Sequence, residues 1–212
     1  STGNGTDFGD FTQSKYGGAA CSNSTRGVFG GAHVNDDNIE YITIASVGNA
    51  QDFGNLSEGR YLLGSCSSSV RGVFGGGITP TVVDVIDYIT ISSTGDSQDF
   101  GNLTSATKTT AASSSSTRGL FGGGYSPSAT NKIDFVTIAT LGNAQDFGDL
   151  TSARGALSSC SQHTRAVFAG GNGPSDIIDF VTIQSTGNAV DFGDLIAARS
   201  QISALSNGHG GL

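Results

Sequence analysis

TRGLFGGGYSPSATNKIDFVTIATLGNAQDFGDL, residues 117–150, recurs in nearly the same form four times along this chain of 212 residues. Asp-Phe-Gly triplets begin at positions 7, 52, 99, 146 and 191, which gives a period of 45 to 47 residues. A unit of this length cannot bury its own apolar residues and has to pack on copies of itself. The period therefore predicts a propeller or an array of repeated sheets.

Each unit predicts four short strands. In the first unit these are a small polar strand (AACSNS), an apolar strand closed by glycines (RGVFGG), a β-branched and aromatic strand (IEYITI) and a strand with Asp-Phe-Gly. Gly-Asn or Gly-Asp pairs such as Gly48-Asn49 separate the last two strands, which is typical of tight hairpins. The glycine after the phenylalanine predicts a bulge. Four antiparallel strands per repeat are typical of a propeller blade.

The order of these motifs, followed by a basic residue, resembles the kelch repeat. The basic residues are Lys15, Arg60, Arg154 and Arg199. The resemblance covers essentially the whole chain and implies an all-β, kelch-like β-propeller. The chain departs from the kelch pattern by placing phenylalanine where the fourth strand usually has tryptophan. The combination of RGVFGGG with NAQDFGDL also resembles kelch-like repeats in tail-fibre and virion proteins of marine bacteriophages.

We expect one domain over residues 1–212, and its predicted segments are repeats at about 12–56, 57–103, 104–150 and 151–195 and terminal strands at 1–11 and 196–212. The first and fourth strands each occur five times, and the middle strands occur four times. This predicts four full blades plus terminal strands and favours a five-bladed ring with one incomplete blade over a four-bladed ring. An open ring, or one completed by another copy, is the remaining alternative. Because the chain has no methionine and its opening STGN recurs at 185–188, we expect it to be a C-terminal piece of a longer protein.

Composition argues against several classes of partner. The net charge is −8 and no Lys/Arg cluster occurs, so a nucleic acid backbone would be repelled. No apolar run approaches the ~20 residues that a membrane-spanning helix needs. Neither nucleic acid binding nor membrane insertion is therefore expected.

The cysteines and histidines predict neither a disulfide framework nor a metal site. Cys21, Cys66 and Cys160 occupy one repeat position, where the other units have Ser113 and Leu205, so we expect free thiols that fill a small space. The histidines fall at unrelated repeat positions, and no Cys-x-x-Cys pair occurs. We expect no metal or other cofactor.

Two sets of repeated charged residues have a structural interpretation. The repeated arginines are expected to form ion pairs with the repeated acids, or hydrogen bonds to backbone carbonyls, between blades. The aspartates of the Asp-Phe-Gly triplets are expected to accept hydrogen bonds from backbone N–H groups at the bend. The arginines are Arg26, Arg71, Arg118 and Arg165, and the acids are Glu40, Asp87, Asp134 and Asp179.

The candidate binding residues lie in the loops between the second and third strands, which differ in length and chemistry while the turns at the opposite end are nearly identical. These loops, at 32–38, 77–85, 124–132 and 172–177, emerge on the same side as the links between blades. Variable loops on a rigid scaffold are common recognition sites, although they also vary where nothing constrains them. The candidates are Tyr125, His33, Asp36, Asp37, Thr79, Asn131, Asn172 and Asp176, with Tyr61 and Lys108 on the links.

These residues favour a non-enzymatic binding module for a cell-surface glycan or receptor over a structural or protein-interaction propeller. The bacteriophage resemblance implies a place on a tail fibre or virion surface, outside the cell, next to other copies or other virion proteins. An enzyme fits least, because the ligand sets of propeller oxidases and sialidases have no counterparts at matching positions. Tyr125 is the preferred single contact, since it is the only aromatic residue in the four loops.

Overall fold

The computed structural model of the chain describes residues 3–33, 36–173 and 175–206. These residues form strands and turns but no helix. The strands make four antiparallel four-stranded sheets, one for each repeat, and one separate two-stranded hairpin. The prediction of an all-β chain with four complete blades is therefore confirmed.

Each sheet, here called a blade, is a meander of strands in chain order. Blade one contains β1 (Ala19–Ser22), β2 (Arg26–Ala32), β3 (Asp36–Thr43) and β4 (Gln51–Asn55). Blade two and its hairpin contain β5 (Gly64–Ser67), β6 (Arg71–Gly75), β7 (Ile78–Thr79), β8 (Thr81–Val82), β9 (Val85–Thr90) and β10 (Gln98–Asn102). Blade three contains β11 (Ala111–Ser114), β12 (Arg118–Gly122), β13 (Lys132–Thr137) and β14 (Gln145–Asp149). Blade four contains β15 (Ser158–Ser161), β16 (Arg165–Ala169), β17 (Ser175–Thr182) and β18 (Val190–Arg199).

The blades follow one another around a central cavity. The first strands β1, β5, β11 and β15 contact one another in sequence. A cavity of about 240 Å³ is surrounded by these strands and by a fifth segment, residues 204–206 near the C-terminus. Five segments therefore surround the axis, four of them from complete blades.

The two terminal segments occupy the places of a fifth blade's outer and inner strands. Gly48 N–H donates to Phe8 O (2.8 Å) and Ala50 N–H donates to Asp10 O (2.9 Å), as Gly95 N–H does to Phe53 O in the next blade. Neither 3–11 nor 200–206 is itself a strand, while β18 continues to Arg199; the predicted terminal segments 1–11 and 196–212 extend beyond the described residues. The reason is that the described residues include no middle strands with which these segments could pair.

The Asp-Phe-Gly bulge joins neighbouring blades. In blade one the β3–β4 register shifts between Ile39 and Glu40, so that Phe53 is the extra residue and is buried among residues of blade two. Gly54 has φ +143°, and a Cβ there would lie 2.4 Å from the carbonyl oxygen of Gly95 in the next blade. Only glycine allows so close an approach at this φ. The predicted bulge is confirmed in all four blades.

Glycines of the second strand receive the side chains of adjacent blades. A Cβ at Gly75 would lie 2.7 Å from the ring of Phe121, and Gly30 and Gly122 meet the next blade's phenylalanine in the same way. On the other face, a Cβ at Gly72 would lie 2.6 Å from Cys21 Sγ. The repeated Phe-Gly-Gly and Cys motifs are thus packing devices between blades.

The repeated arginines bind backbone carbonyls of the following blade. Arg26 Nη1 donates to Ile91 O (2.9 Å), and the same contact recurs from Arg71 and Arg118. Each guanidinium also lies over an aromatic ring of its own blade, as Arg26 does over Tyr41 at 4.4 Å. The expected interblade hydrogen bonds to carbonyls are confirmed, whereas the repeated acids pair with a different set of cations.

Those cations come from the links. Arg60 Nη2 lies 3.0 Å from Asp87 Oδ2, and Arg154 Nη2 lies 2.9 Å from Asp179 Oδ2, with all four side chains buried. In blade one Lys15 Nζ takes this place, 3.5 Å from Glu40. The link side chain reaches past the first strand to the third strand of the same blade, a contact that repeat spacing alone does not reveal.

The three cysteines are free. Burial raises the pKa of Cys21 to about 12 and also raises the pKa values of Cys66 and Cys160. Because only Cys160 is partly exposed, we expect iodoacetamide at pH 8 to modify one thiol of the native protein much faster than the other two. Peptide mapping of the alkylated protein checks the site. Intact mass without reductant should show no loss of two protons, and a disulfide would contradict the packing role.

Candidate functional site

The variable loops and the links meet on one face of the molecule, here called the loop face. One loop residue of each blade donates its backbone N–H to the carbonyl of the link residue before that blade. These pairs are His33 to Tyr16 (2.7 Å), Ile78 to Tyr61 (2.9 Å), Tyr125 to Lys108 (2.9 Å) and Asn172 to Gly155 (2.8 Å). This one loop position is therefore held near the axis in each of the four blades, whatever side chain it has.

A cavity of about 450 Å³ lies beside the axis on the loop face. It is lined by the residues that come just before the first strands, and these are 16–18, 62–63, 109–110, 156–157 and 201–203. Backbone N–H groups link these segments in order, from Leu62 to Gly17 O, Thr109 to Leu62 O and onward. The scaffold thus holds the cavity in a fixed shape, which reduces the ordering cost of binding a ligand.

Three aromatic rings lie together beside this cavity, and one of them, that of Tyr16, lines its rim. The His33 ring is in edge-to-face contact with Tyr16 (centroids 5.9 Å apart) and with Tyr61 (4.9 Å). Tyr16 is 67% exposed, His33 is exposed and Tyr61 is half-buried. This aromatic group, defined as Tyr16, His33 and Tyr61, offers apolar ring surface beside hydroxyl and imidazole hydrogen-bonding atoms.

Tyr125 lies on blade three, away from this group. Its ring packs on Gly155, where a Cβ would lie 2.4 Å from a ring carbon. Its backbone pairs with Lys108 and bridges to Ala129. Tyr125 is therefore half-buried and held against the link to blade four, which leaves less of the ring for a ligand than the loop sequence indicated.

Asp36 is already engaged within the protein. Lys15 Nζ lies 3.0 Å from its carboxylate, and Gln13 Nε2 donates to the same oxygen (2.6 Å). The carboxylate also accepts the N–H of Asn38 (3.0 Å). Asp36 therefore anchors the link of blade one and does not offer a free acceptor.

The remaining candidates are spread over the loop face. Asp37, Asn172 and Asp176 are exposed, while Thr79, in strand β7, and Asn131 are half-buried. Of all the predicted residues, the structure brings His33 together with Tyr61 and Tyr125 together with Lys108. Val34, Asn35 and Pro174, also in the predicted loops, lie outside the described residues.

Tyr16 is the residue that the loop comparison missed. It precedes the first strand of blade one as Tyr61 precedes that of blade two, in KYGG and RYLL. Alignment of the links as well as the loops would have found it. The signal is weak because the corresponding residues of the later blades, Lys108 and Gly155, are not aromatic.

The central cavity of about 240 Å³ has few polar groups left to bind a ligand. Its serine hydroxyls are largely used between blades, since Ser65 Oγ donates to Ala20 O (2.6 Å), and Ser159 and Ser161 make similar bonds. Across the described ranges, no group of three or more His, Cys, Asp or Glu side chains is placed to hold a metal ion. Over the same ranges there is no helix long and apolar enough to cross a bilayer.

The arrangement can bind a ligand by ring contact and hydrogen bonding, and the aromatic group is the part of the loop face that combines both. Protein relatives offer no further guide to the ligand. No protein-family model and no curated protein matches this chain significantly.

Proposed function

We propose that the chain is a non-enzymatic binding module that holds a cell-surface saccharide or a comparable polar receptor on its loop face. The aromatic group beside the 450 Å³ cavity is the observation that carries this proposal. Apolar ring faces suit the C–H face of a sugar, and the tyrosine hydroxyls and the imidazole of His33 suit its hydroxyl groups. The resemblance of the repeats to those of bacteriophage proteins supports a position on a tail fibre or virion surface as part of this proposal.

Affinity at one such site is expected to be low. The rim is open to solvent and most of its polar contacts would include water. Several copies in one assembly raise the overall affinity without any new contact, because the second binding event becomes intramolecular. Attachment through many weak sites is consistent with a fibre or virion protein.

Binding to a glycan array tests the site. We expect Tyr16→Ala and Tyr61→Ala each to lower binding by about tenfold or more, as expected for aromatic contacts central to a small interface. Val70→Ala is the matched control, since Val70 is 58% exposed on a turn at the opposite end of the blades. Equal loss in the control and the tyrosine variants would reject this site.

Tyr125→Ala in the same assay tests the contact favoured by the loop sequences. Loss of binding in Tyr125→Ala, with Tyr16→Ala and Tyr61→Ala unaffected, would move the site to blade three, where Tyr125 pairs with Lys108. Binding to no glycan at all would favour the second candidate function, a structural or protein-interaction propeller. The observation that favours this second function is the exposed apolar surface of blade four.

A further inference from the structure

Blade four exposes a phenylalanine that every other blade buries. Phe192 occupies the Asp-Phe-Gly position of β18 and is 56% exposed. At the same position of the preceding blades, the side chain is 2% exposed because the next blade covers it. These residues are Phe53, Phe100 and Phe147.

Blade one exposes the complementary face. Ile44 is 44% exposed, whereas its equivalents Ile91, Ile138 and Ile183 are at most 1% exposed. Between blade one and the N-terminal segment, a groove of about 190 Å³ is lined by Phe8, Phe11, Phe29 and neighbouring residues, which include Ile42. The two faces are those that pack together at the three complete interfaces between blades. Here they are left as the walls of an open slot, defined by Phe192 on one side and Ile44 on the other.

Strand β18 is also more apolar than its counterparts. Val190 stands where the other blades have glutamine, and Ile196 stands where they have serine or threonine. Both side chains are exposed. Exposed apolar side chains grouped on one strand mark a surface that a partner covers.

The flanking segments already hold the positions of a fifth blade. Residues 7–10 dock on blade one by the hydrogen bonds that β4 makes to blade two. At the inner end Gln201 N–H donates to Ala156 O (2.9 Å), which continues the series of bonds along the first strands. The slot therefore lacks only the second and third strands of a blade.

Arg199 indicates that a partner in the slot carries an acidic residue. It is the link residue equivalent to Arg60 and Arg154, whose guanidinium groups pair with an acid on the third strand of the blade that follows. Arg199 is exposed and has no ion pair among the described residues. An acidic residue on the incoming third strand would complete the same pair.

We propose that the open slot docks a two-stranded β-hairpin of a partner polypeptide, apolar on both faces and with an acidic residue in its second strand. Its first strand pairs with the segment 203–206 and its second strand with the segment 7–10, by the mode known as β-strand addition. The carboxylate of the hairpin binds Arg199, and its side chains cover Phe192 and Ile44.

The first strand of the partner hairpin differs at one position from the second strands of the blades in this chain. Ala169 stands where Gly30, Gly75 and Gly122 stand in the other blades, and at those glycines a Cβ would lie within 2.9 Å of the next blade's phenylalanine ring. The partner therefore carries a residue smaller than phenylalanine there. A second copy of this chain does not supply the hairpin, because its described second and third strands are each paired on both edges inside their own blades.

A synthetic peptide with the sequence of Thr117–Ile138 and the change Phe121→Val is the probe. It retains Asp134 as the acid and Gly119 as the residue that would cover Cys160. In the protein, Gly119 of blade three covers Cys66 of blade two in this way. Binding to the full chain is measured by fluorescence anisotropy. We expect Phe192→Glu to weaken binding by about tenfold or more, and Arg199→Gln, or Asp134→Asn in the peptide, by about threefold to tenfold.

Leu141→Glu is the matched control. Leu141 is as exposed as Phe192, at 56%, but lies on a turn, so its change should leave binding unaltered. Saturating peptide should also slow alkylation of Cys160 by about fivefold or more, since the covered thiol would react like those of Cys21 and Cys66. Circular dichroism establishes that each variant keeps its fold.

Three results would overturn the proposal. One is equal peptide binding by the wild type and by Phe192→Glu, and another is no detectable binding by the wild type at millimolar peptide. The third is a dimer in sedimentation velocity that Phe192→Glu abolishes and Leu141→Glu leaves intact, because a second copy of the chain would then fill the slot.

Discussion

Replacement of Phe147 by alanine is expected to lower the free energy of unfolding by about 3 to 5 kcal/mol, the range observed for deletion of a buried aromatic side chain. Phe147 is 2% exposed and is in edge-to-face contact with Phe135 at 5.9 Å. It shares one core with Val181 and Ile183 of blade four. The cavity left by alanine lies between two sheets, and hydrogen bonds hold each sheet in place, so the blades cannot close it.

Phe192→Ala is the internal control for this effect. Phe192 occurs in the same triplet and is in the same contact with an aromatic residue of its own blade, Phe180, at 6.0 Å. Because no blade covers it, we expect a loss of less than about 1 kcal/mol. Urea unfolding of both variants, with a check that the m-value is unchanged, measures the difference. Similar losses in the two variants would mean that burial between blades is not what stabilises the repeat.

The repeat in the sequence was sufficient to predict the blades, because each blade is specified by residues within one unit. Strand β13 follows from the β-branched residues of KIDFVT, and the bulge at Gly148 follows from a glycine that no side chain could replace. The contacts between blades were predicted less completely. Arg118 and Asp134 recur with the same period, but a shared period does not show which cation reaches which acid.

The candidate site was harder to predict because it is built from residues of different units. Tyr16 and His33 belong to the link and loop of blade one, and Tyr61 belongs to the following link. Their proximity depends on how blades are stacked around the axis, which no single repeat specifies. The loop sequences alone favour Tyr125, because they do not include the links against which the loops pack.

Asp179→Asn should cost about 3 to 5 kcal/mol at pH 7, because it removes the charge partner of the buried Arg154 while it preserves the shape of the side chain. Thr151 also donates to Asp179, from its hydroxyl at 2.6 Å. One of these acceptor positions becomes an amide donor in the variant. Urea unfolding gives the loss, and Asp87→Asn, which removes the partner of Arg60, should behave in the same way.

Asp134→Asn provides the matched contrast, since blade three has Thr107 where blades two and four have the pairing arginine. Burial raises the pKa of Asp134, and hydrogen bonds from Thr104 and the charge of Lys132 only partly oppose this. A folded-state pKa above the unfolded value means that the folded state binds the proton more tightly. The resulting stabilisation is present below the unfolded pKa and is lost as pH rises through the folded pKa.

At pH 7 the buried carboxylate of Asp134 therefore destabilises the folded state. We expect Asp134→Asn to cost less than about 1 kcal/mol or to stabilise the protein. Between pH 7 and pH 4 the wild type should gain stability relative to this variant, and a constant difference across that range would contradict the assignment.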